Sequence, residues 1–262
     1  MADPKLNKIA NCDKDERIGD VIFVHGLNGD AFGTWHPNNK TDPPNFWLSW
    51  LGKELTLTNV GIWSLGYDAK PVAWMGGTMP LADRANNILT LTQQKQIGDR
   101  PLLFVTHSLG GLLVKQMLHN AVGFGSPKWK AIAAQTKGIV FLATPHSGSD
   151  WANWFSYIGG ILGKTETIDE LKSNSSHLRN LTVWFRENIS PSSSLDCKIQ
   201  VYFETKPTAK IGLVVDQASA DPGLPGVIPT GIDADHIEIC RPKQAEGIVY
   251  DGVKQFIEEC FL

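Results

Sequence analysis

The sequence predicts an α/β fold, in which a mostly parallel sheet is flanked by helices. Short apolar runs alternate with amphipathic helical patterns along most of the 262 residues. The runs lack the polar alternation of half-exposed strands, which is typical of strands buried on both faces. At this length one hydrophobic core suffices, so we expect a single domain over residues 20–262, preceded by a polar N-terminal segment over residues 1–19.

Six apolar runs predict the strands of this sheet. They are DVIFVHG (20–26), VGIWSL (60–65), PLLFVTH (101–107), GIVFLAT (138–144), KIQVYFE (198–204) and GVIPTGI (226–232). We therefore expect a sheet of about six strands. Helical patterns predict the covering helices over residues 46–57, 80–96, 109–122 and 243–259.

One long segment interrupts this alternation. Residues 147–195 begin with an aromatic, glycine-containing stretch and end in a serine-rich linker. A segment of this length between two strands predicts a lid-like insertion. Trp151, Trp154 and Phe155 then either contact an acyl group of a substrate or pack on the sheet as one more covering helix.

Composition and charge limit the binding partners and the cellular compartment that we expect for this protein. The formal charge of −3, with 42% hydrophobic residues, offers no basic surface for nucleic acid. The four cysteines lack metal-ligand spacing, so we expect neither a metal nor a cofactor. The polar N-terminus has no apolar signal region, and no run of about 18 apolar residues occurs. We expect a cytoplasmic protein that can contact membranes peripherally.

The stretch LLFVTHSLGGLLVKQML, residues 102–118, joins a predicted strand to a predicted helix at Ser108. A sharp strand–serine–helix junction is how a nucleophile elbow exposes its hydroxyl. The usual pattern is Gly-x-Ser-x-Gly; here Gly110 is kept and Thr106 replaces the first glycine. A serine in front of a helix can also act only as an N-cap. The strand before Ser108 and the glycines after it favour the nucleophile.

An acyl-transfer serine needs oxyanion donors, a histidine base and an acid that orients the base. The backbone N–H groups of Leu27, just after the first predicted strand, and Leu109 are the candidate oxyanion donors. In the chain order serine, acid, histidine, His236 follows the last strand and is the expected base. Glu204, at the end of a strand, is the first candidate acid, and Asp216 is the alternative.

Six segments in order resemble the lipase-like α/β-hydrolases of the group that contains the serine-active-site-containing protein and the GPI-inositol deacylases. They are VIFVHGLNGD, WSLGYDA, LLFVTHSLGGLLVKQML, GIVFLATPHSGSDWA, FETKPT and DADHIEICRP, which extend from about residue 20 to the C-terminus. Similar hydrolase domains stand at the N-terminus of NACHT- or NB-ARC-type (STAND) signalling NTPases. The resemblance implies the α/β-hydrolase fold, with Ser108 as nucleophile, His236 as base and Glu204 as acid.

The same resemblance implies activity on lipids and other acyl esters. We expect a serine ester hydrolase of the lipase, phospholipase or carboxylesterase type, either alone or as the effector domain of a signalling or defence protein with an NTPase or sensor domain. The alternative is a silent or partner-gated interaction module, for which Thr106 is the sign. Because only about 19 residues precede the first predicted strand, we expect a trimmed sheet without the family's leading antiparallel strands.

Overall fold

The computed structural model describes residues 3–40, 46–69, 79–146, 154, 175–189, 195–209 and 212–262. Within these residues, seven strands form one sheet. They are β1 (Lys5–Ala10), β2 (Gly19–Val24), β3 (Val60–Gly66), β4 (Leu102–His107), β5 (Thr136–Leu142), β6 (Lys198–Glu204) and β7 (Thr230–Ile232). All six predicted strands are present, with boundaries shifted by a few residues.

The strands lie in the order β1-β3-β2-β4-β5-β6-β7. Strand β1 is antiparallel to β3, and every other neighbouring pair is parallel. Strands β2 and β4 are buried along their whole length, which explains why their sequences are continuously apolar. Because the carboxyl ends of parallel strands meet at one edge of the sheet, the segments that follow β2, β4, β5, β6 and β7 converge there.

Seven α-helices accompany the sheet in the described part of the chain. They are α1 (Trp47–Leu51), α2 (Leu81–Gln94), α3 (Leu109–Gly123), α4 (Pro127–Gln135), α5 (Ser175–Asn188), α6 (Gln217–Ala220) and α7 (Ile248–Phe261). The predicted helix over residues 46–57 is α1 followed by a short 3-10 turn, and α4, α5 and α6 are additional to the four predicted helices. Among the described helices, none combines the length and apolarity needed to cross a membrane.

Strand β1 corrects one expectation from the sequence. The polar segment over residues 1–19 predicts a sheet without leading antiparallel strands, but β1 is such a strand. Only Leu6 of its six residues is buried, because β1 occupies the edge of the sheet. An edge strand with one buried side chain has no apolar run, so its sequence reads as polar.

Helix α3 begins at the end of β4 and packs closely on the end of β2. A Cβ atom at Gly110 would overlap the backbone oxygen of Val24 and would lie 2.7 Å from that of His25. Both oxygens are backbone atoms at the carboxyl end of β2, so neither can rotate away from an added Cβ. A residue without a side chain is therefore required for α3 to start where it does.

We predict that Gly110→Ala lowers the free energy of unfolding by about 2–3 kcal/mol, because the added methyl group overlaps fixed backbone atoms. Urea denaturation measures this change. Gly123→Ala is the matched control, since it lies at the end of the same helix and its added methyl group would have nothing within 4 Å. It should be neutral or stabilise by up to about 1 kcal/mol. Equal effects of the two substitutions would contradict the close approach.

Candidate active site

Ser108 occupies a sharp, strained turn between β4 and α3. Its backbone has φ 51° and ψ −121°, a left-handed φ that is uncommon for a residue other than glycine. The surroundings hold this conformation: the Ser108 N–H donates to the Leu142 oxygen at 2.9 Å, and the Thr144 hydroxyl donates to the Ser108 oxygen at 2.9 Å. The turn thus has the geometry expected of a nucleophile elbow.

His236 lies between Ser108 and Glu204. Its Nε2 is 3.0 Å from the Ser108 hydroxyl oxygen, and its Nδ1 is 3.2 Å from Glu204 Oε1. With the ring proton on Nδ1, His236 donates to the carboxylate and accepts from the serine hydroxyl. All three side chains are buried. The structure therefore brings together the serine, base and first-choice acid named from the sequence.

The two candidate acids have different surroundings. Glu204 Oε1 also accepts hydrogen bonds from the Val214 and Val215 N–H groups at 3.0 and 2.7 Å, which hold the carboxylate in place. Asp216 instead precedes α6 and accepts from the N–H and the hydroxyl of Ser219 at 2.9 and 2.7 Å. Asp216 is thus the N-cap of α6, and Glu204 is the carboxylate at His236 Nδ1.

The candidate oxyanion donors lie on either side of the serine. Leu109 is the first residue of α3, so its N–H is one of the helix N-terminal groups without an intrahelical acceptor. The loop before Leu27 approaches Ser108 so closely that a Cβ at Gly26 would lie 2.9 Å from the serine Cβ. This approach requires glycine at position 26 and keeps the Leu27 backbone beside the serine.

His107 is a part of the site that the sequence did not indicate. Its Nε2–H donates to the backbone oxygen of His236 at 2.8 Å, which ties the loop carrying His236 to the residue before Ser108. Burial lowers the pKa of His107 well below its usual value, and the charges of His236 and Arg241 lower it further. A neutral imidazole has one ring proton, and the bond from His107 to the His236 oxygen needs that proton on Nε2. Only its place next to Ser108 could have indicated this role.

Thr106, which replaces the first glycine of the usual elbow pattern, has a hydrogen-bond partner for its buried hydroxyl. It is fully buried, and its hydroxyl donates to the Val140 oxygen on β5 at 3.0 Å. The β-branched side chain therefore adds a bond between neighbouring strands and leaves no buried hydroxyl unsatisfied. The substitution of glycine by threonine is accommodated by the sheet.

Solved structures with the same architecture cover nearly the whole chain. A lipase-esterase related protein from Clostridium acetobutylicum has a TM-score of 0.53 at 10% identity, over 99% of this chain and 100% of that protein. A carboxylesterase of the thaumarchaeon Nitrososphaera gargenis has a TM-score of 0.54 at 12% identity, over 98% and 94% of the two chains. The chain has the α/β-hydrolase fold. The fold class predicted from the sequence is confirmed.

Curated relatives are similar in sequence as well. Protein SERAC1 of Mus musculus is 34% identical over 263 residues, and that of Homo sapiens is 33% identical over 263 residues. Each match covers 92% of this chain but only 38% of SERAC1, so the chain spans well under half the length of these relatives. No protein-family model matches the chain.

The residues named as lid contacts on this α/β-hydrolase fold are mostly outside the described residues. Trp151 and Phe155 belong to that remainder. Trp154 is buried and packs with the hydrophobic core. Helix α5, from the same insertion, packs against α3. The sequence leaves two roles open for Trp154: contact with an acyl group of a substrate, or packing on the sheet as part of a covering helix. Its burial in the core agrees with the second.

A buried pair on the same hydrolase fold, Lys115 and His146, is absent from the sequence predictions. Lys115 Nζ donates to His146 Nδ1 at 2.8 Å, and both side chains are fully buried. The ammonium nitrogen also lies over the rings of Phe141 and Phe185, 5.6 and 4.9 Å from their centroids. Burial, followed by the charge of Arg186, lowers the pKa of Lys115 to about 7. The sequence of α3 around Lys115 gives no sign of a partner 31 residues further along the chain.

Lys115→Met tests whether this burial makes folding depend on pH. The unfolded chain keeps the lysine proton up to its usual pKa of 10.5, whereas the folded protein releases it above about 7. Between these values the unfolded state binds more protons, so raising the pH stabilises the fold, by up to about 1.4 kcal/mol per pH unit. In urea titrations, the stability of the wild type relative to Lys115→Met should rise between about pH 7 and about pH 9.

The control for this prediction is Lys130→Met, which removes an exposed lysine from α4. Its stability relative to the wild type should stay constant over the same pH range, because the Lys130 side chain is exposed to solvent in the folded protein. A constant difference for Lys115→Met as well would show that Lys115 keeps its proton in the folded protein.

Proposed function

We propose that the chain is a serine ester hydrolase that works through an acyl-enzyme, with Ser108 as nucleophile, His236 as base and Glu204 as the orienting acid. The observation that carries the proposal is the continuous hydrogen-bonded series from the Ser108 hydroxyl through His236 to Glu204, with links of 3.0 and 3.2 Å. Its position on an α/β-hydrolase fold, at the elbow between β4 and α3, supports the same function.

In the acylation step, the Ser108 oxygen bonds to the ester carbonyl carbon while His236 Nε2 takes the hydroxyl proton. The carbonyl oxygen becomes an oxyanion, which the N–H groups of Leu27 and Leu109 stabilise. Glu204 stabilises the imidazolium that forms and keeps its ring oriented. When the oxyanion collapses, the bond to the alcohol oxygen breaks, and His236 gives that oxygen its proton. The alcohol leaves, and the acyl group stays on Ser108.

In the deacylation step, water takes the place of the alcohol. His236 removes a proton from the water as its oxygen bonds to the acyl carbon, and a second oxyanion forms at the same donors. Collapse of this intermediate breaks the bond to Ser108, whose oxygen recovers the proton from His236. The products are the carboxylic acid and the free serine.

The substrate class in this proposal is acyl esters. Lipid or phospholipid substrates, contact with a membrane surface and a role as the effector domain of a defence or signalling protein remain predictions from the sequence resemblance. The partner-gated module is the rival function, and Thr106 is its sign. Its case is weakened because Thr106 makes a satisfied hydrogen bond within the sheet.

A fluorophosphonate probe tests the proposed function. We expect one adduct on the THSLGG peptide, because an activated serine attacks phosphorus, fluoride leaves, and the proton passes to His236. Mass spectrometry of the intact protein and of its peptides detects the adduct. The mass added to the protein is that of the probe less hydrogen fluoride. Ser108→Ala should abolish labelling, and His236→Ala should slow it by about 10³-fold or more. A folded wild-type protein that stays unlabelled would favour the partner-gated module.

Glu204→Gln tests the choice of acid. Glutamine keeps an oxygen that accepts from the Val214 and Val215 N–H groups but removes the charge that stabilises the His236 imidazolium. We expect kcat on a soluble 4-nitrophenyl ester to fall by about 10²- to 10⁴-fold. Asp216→Asn keeps the cap of α6 and should change kcat less than about twofold. The reverse order of these effects would assign the acid to Asp216.

A further inference from the structure

The peptide group between Gly26 and Leu27 carries one of the proposed oxyanion donors, the Leu27 N–H. In the described part of the chain no group accepts this N–H, and Gly26 lies against Ser108. A peptide group that follows a glycine can turn over with little steric strain. Other contacts must therefore hold the N–H in the direction that an oxyanion requires.

The oxygen of this peptide group has two hydrogen-bonding partners. The Gly26 oxygen accepts the Gly29 N–H at 3.1 Å, and it lies 3.0 Å from His25 Nδ1. Because the peptide group is planar and trans, its oxygen and its N–H point in opposite directions. Bonds that fix the Gly26 oxygen therefore fix the direction of the Leu27 N–H as well. The peptide group cannot turn over unless both bonds break.

His25 has its ring proton on the nitrogen that this bond needs. Its side chain is fully buried, and burial lowers its pKa to about 4, so the imidazole is neutral near neutral pH. A neutral imidazole has one N–H, and the Gly26 oxygen can only accept, which assigns the proton to Nδ1. Nε2 is then an acceptor, and the Tyr67 N–H donates to it at 3.4 Å. The two partners thus select the same tautomer.

Tyr67 holds the residue that carries this imidazole. Its hydroxyl donates to the His25 oxygen at 2.6 Å, and its ring stacks on the imidazole with centroids 4.3 Å apart and planes 11° from parallel. His25 follows β2 and Tyr67 follows β3, which are parallel neighbours in the sheet. The Asn28 N–H also donates to the Ala69 oxygen at 2.9 Å, which joins the same two loops. The loop after β3 therefore supports the loop that carries the oxyanion donor.

Tyr67 is itself held from helix α2. The Arg84 guanidinium carbon lies 5.9 Å from the centroid of the Tyr67 ring, and its Nη1 donates to the oxygen of Asp68. Burial raises the pKa of the Tyr67 phenol, so the hydroxyl keeps the proton that it donates to the His25 oxygen. The position of Tyr67 is thus fixed from both its ring and its neighbouring backbone.

We infer that His25 and Tyr67 are positioning residues of the oxyanion site. His25 orients the peptide group between Gly26 and Leu27 through its Nδ1–H, and Tyr67 holds His25 in place. The bond to the Gly26 oxygen also polarises the peptide group, which makes the Leu27 N–H a stronger donor. The inference rests on the proposed function of Ser108 and adds to it two residues outside the triad.

Two esters with the same leaving group test the inference. One is 4-nitrophenyl butyrate, and the other is its thiono analogue, in which sulfur replaces the carbonyl oxygen. Sulfur is a weak hydrogen-bond acceptor, so the thiono ester gains little from the oxyanion donors. Release of 4-nitrophenol gives kcat/KM for each, and the measured quantity is the ratio of the oxygen ester to the sulfur ester. Partial unfolding lowers both rates alike and leaves this ratio unchanged, whereas a misplaced Leu27 N–H lowers it.

We expect His25→Phe to lower this ratio by about 10²-fold, the effect of losing one oxyanion donor, because phenylalanine keeps a ring beside Tyr67 but has no N–H. His25→Asn restores an N–H near the position of Nδ1 and should keep a higher ratio than His25→Phe. Tyr67→Phe removes only the hydroxyl and should lower the ratio by about 10-fold. Tyr250→Phe is the matched control and should leave the ratio unchanged, because this hydroxyl donates to Glu54 Oε1 at 2.8 Å, away from the site.

Separate results would overturn the inference and the proposed function. Urea denaturation checks that each variant is folded, and an unchanged ratio in folded His25→Phe or Tyr67→Phe would overturn the role of that residue only. A lower ratio in His25→Asn than in His25→Phe would show that packing of the ring matters and not its N–H. Equal loss in Tyr67→Phe and Tyr250→Phe would likewise overturn the role of Tyr67. A wild type that neither takes up the fluorophosphonate nor hydrolyses the oxygen ester would overturn the proposed function itself.

Discussion

The tight turn at Ser108 is the constraint on which the rest of the site depends. A left-handed backbone at a residue with a side chain persists only when its surroundings hold it. Here β5 and the loop after it bond the Ser108 backbone on both sides, and α3 starts in van der Waals contact with the end of β2. The contact between α3 and β2 needs glycine at position 110, and the bonds to the Ser108 backbone need β5 and the following loop to stay in place. The neighbouring strands β2 and β5 thus hold the turn in its left-handed conformation.

The loop after β7 is held to the nucleophile elbow by hydrogen bonds. The segment after β7 carries His236, whose backbone oxygen accepts from His107 Nε2 at 2.8 Å and whose N–H donates to the Thr208 hydroxyl at 3.2 Å. A shift of this loop would move the His236 ring away from the Ser108 hydroxyl. The bond from His107 therefore fixes the position of the loop that carries the His236 ring beside Ser108.

The sequence predicted those features that depend on local pattern. Buried parallel strands leave apolar runs, and the strand–serine–helix junction is itself local, so the sheet and Ser108 could be named in advance. The remaining features depend on contacts between distant segments. Strand β1 is recognisable only through its pairing with β3. The choice between Glu204 and Asp216 depends on which carboxylate lies at His236 Nδ1, and only the fold places aromatic rings around the Lys115 ammonium group.

Strands β5 and β6 are neighbours in the sheet, paired in parallel from Gly138 with Lys198 onward. The long segment that joins them therefore leaves and re-enters the sheet at adjacent positions that are fixed by hydrogen bonds. Part of this segment, α5, packs against α3, the helix that follows the elbow, so that part is tied to the site. For protein engineering, a replacement between β5 and β6 should therefore keep α5, because the centroid of its Phe185 ring lies 4.9 Å from Lys115 Nζ in the core beneath the site.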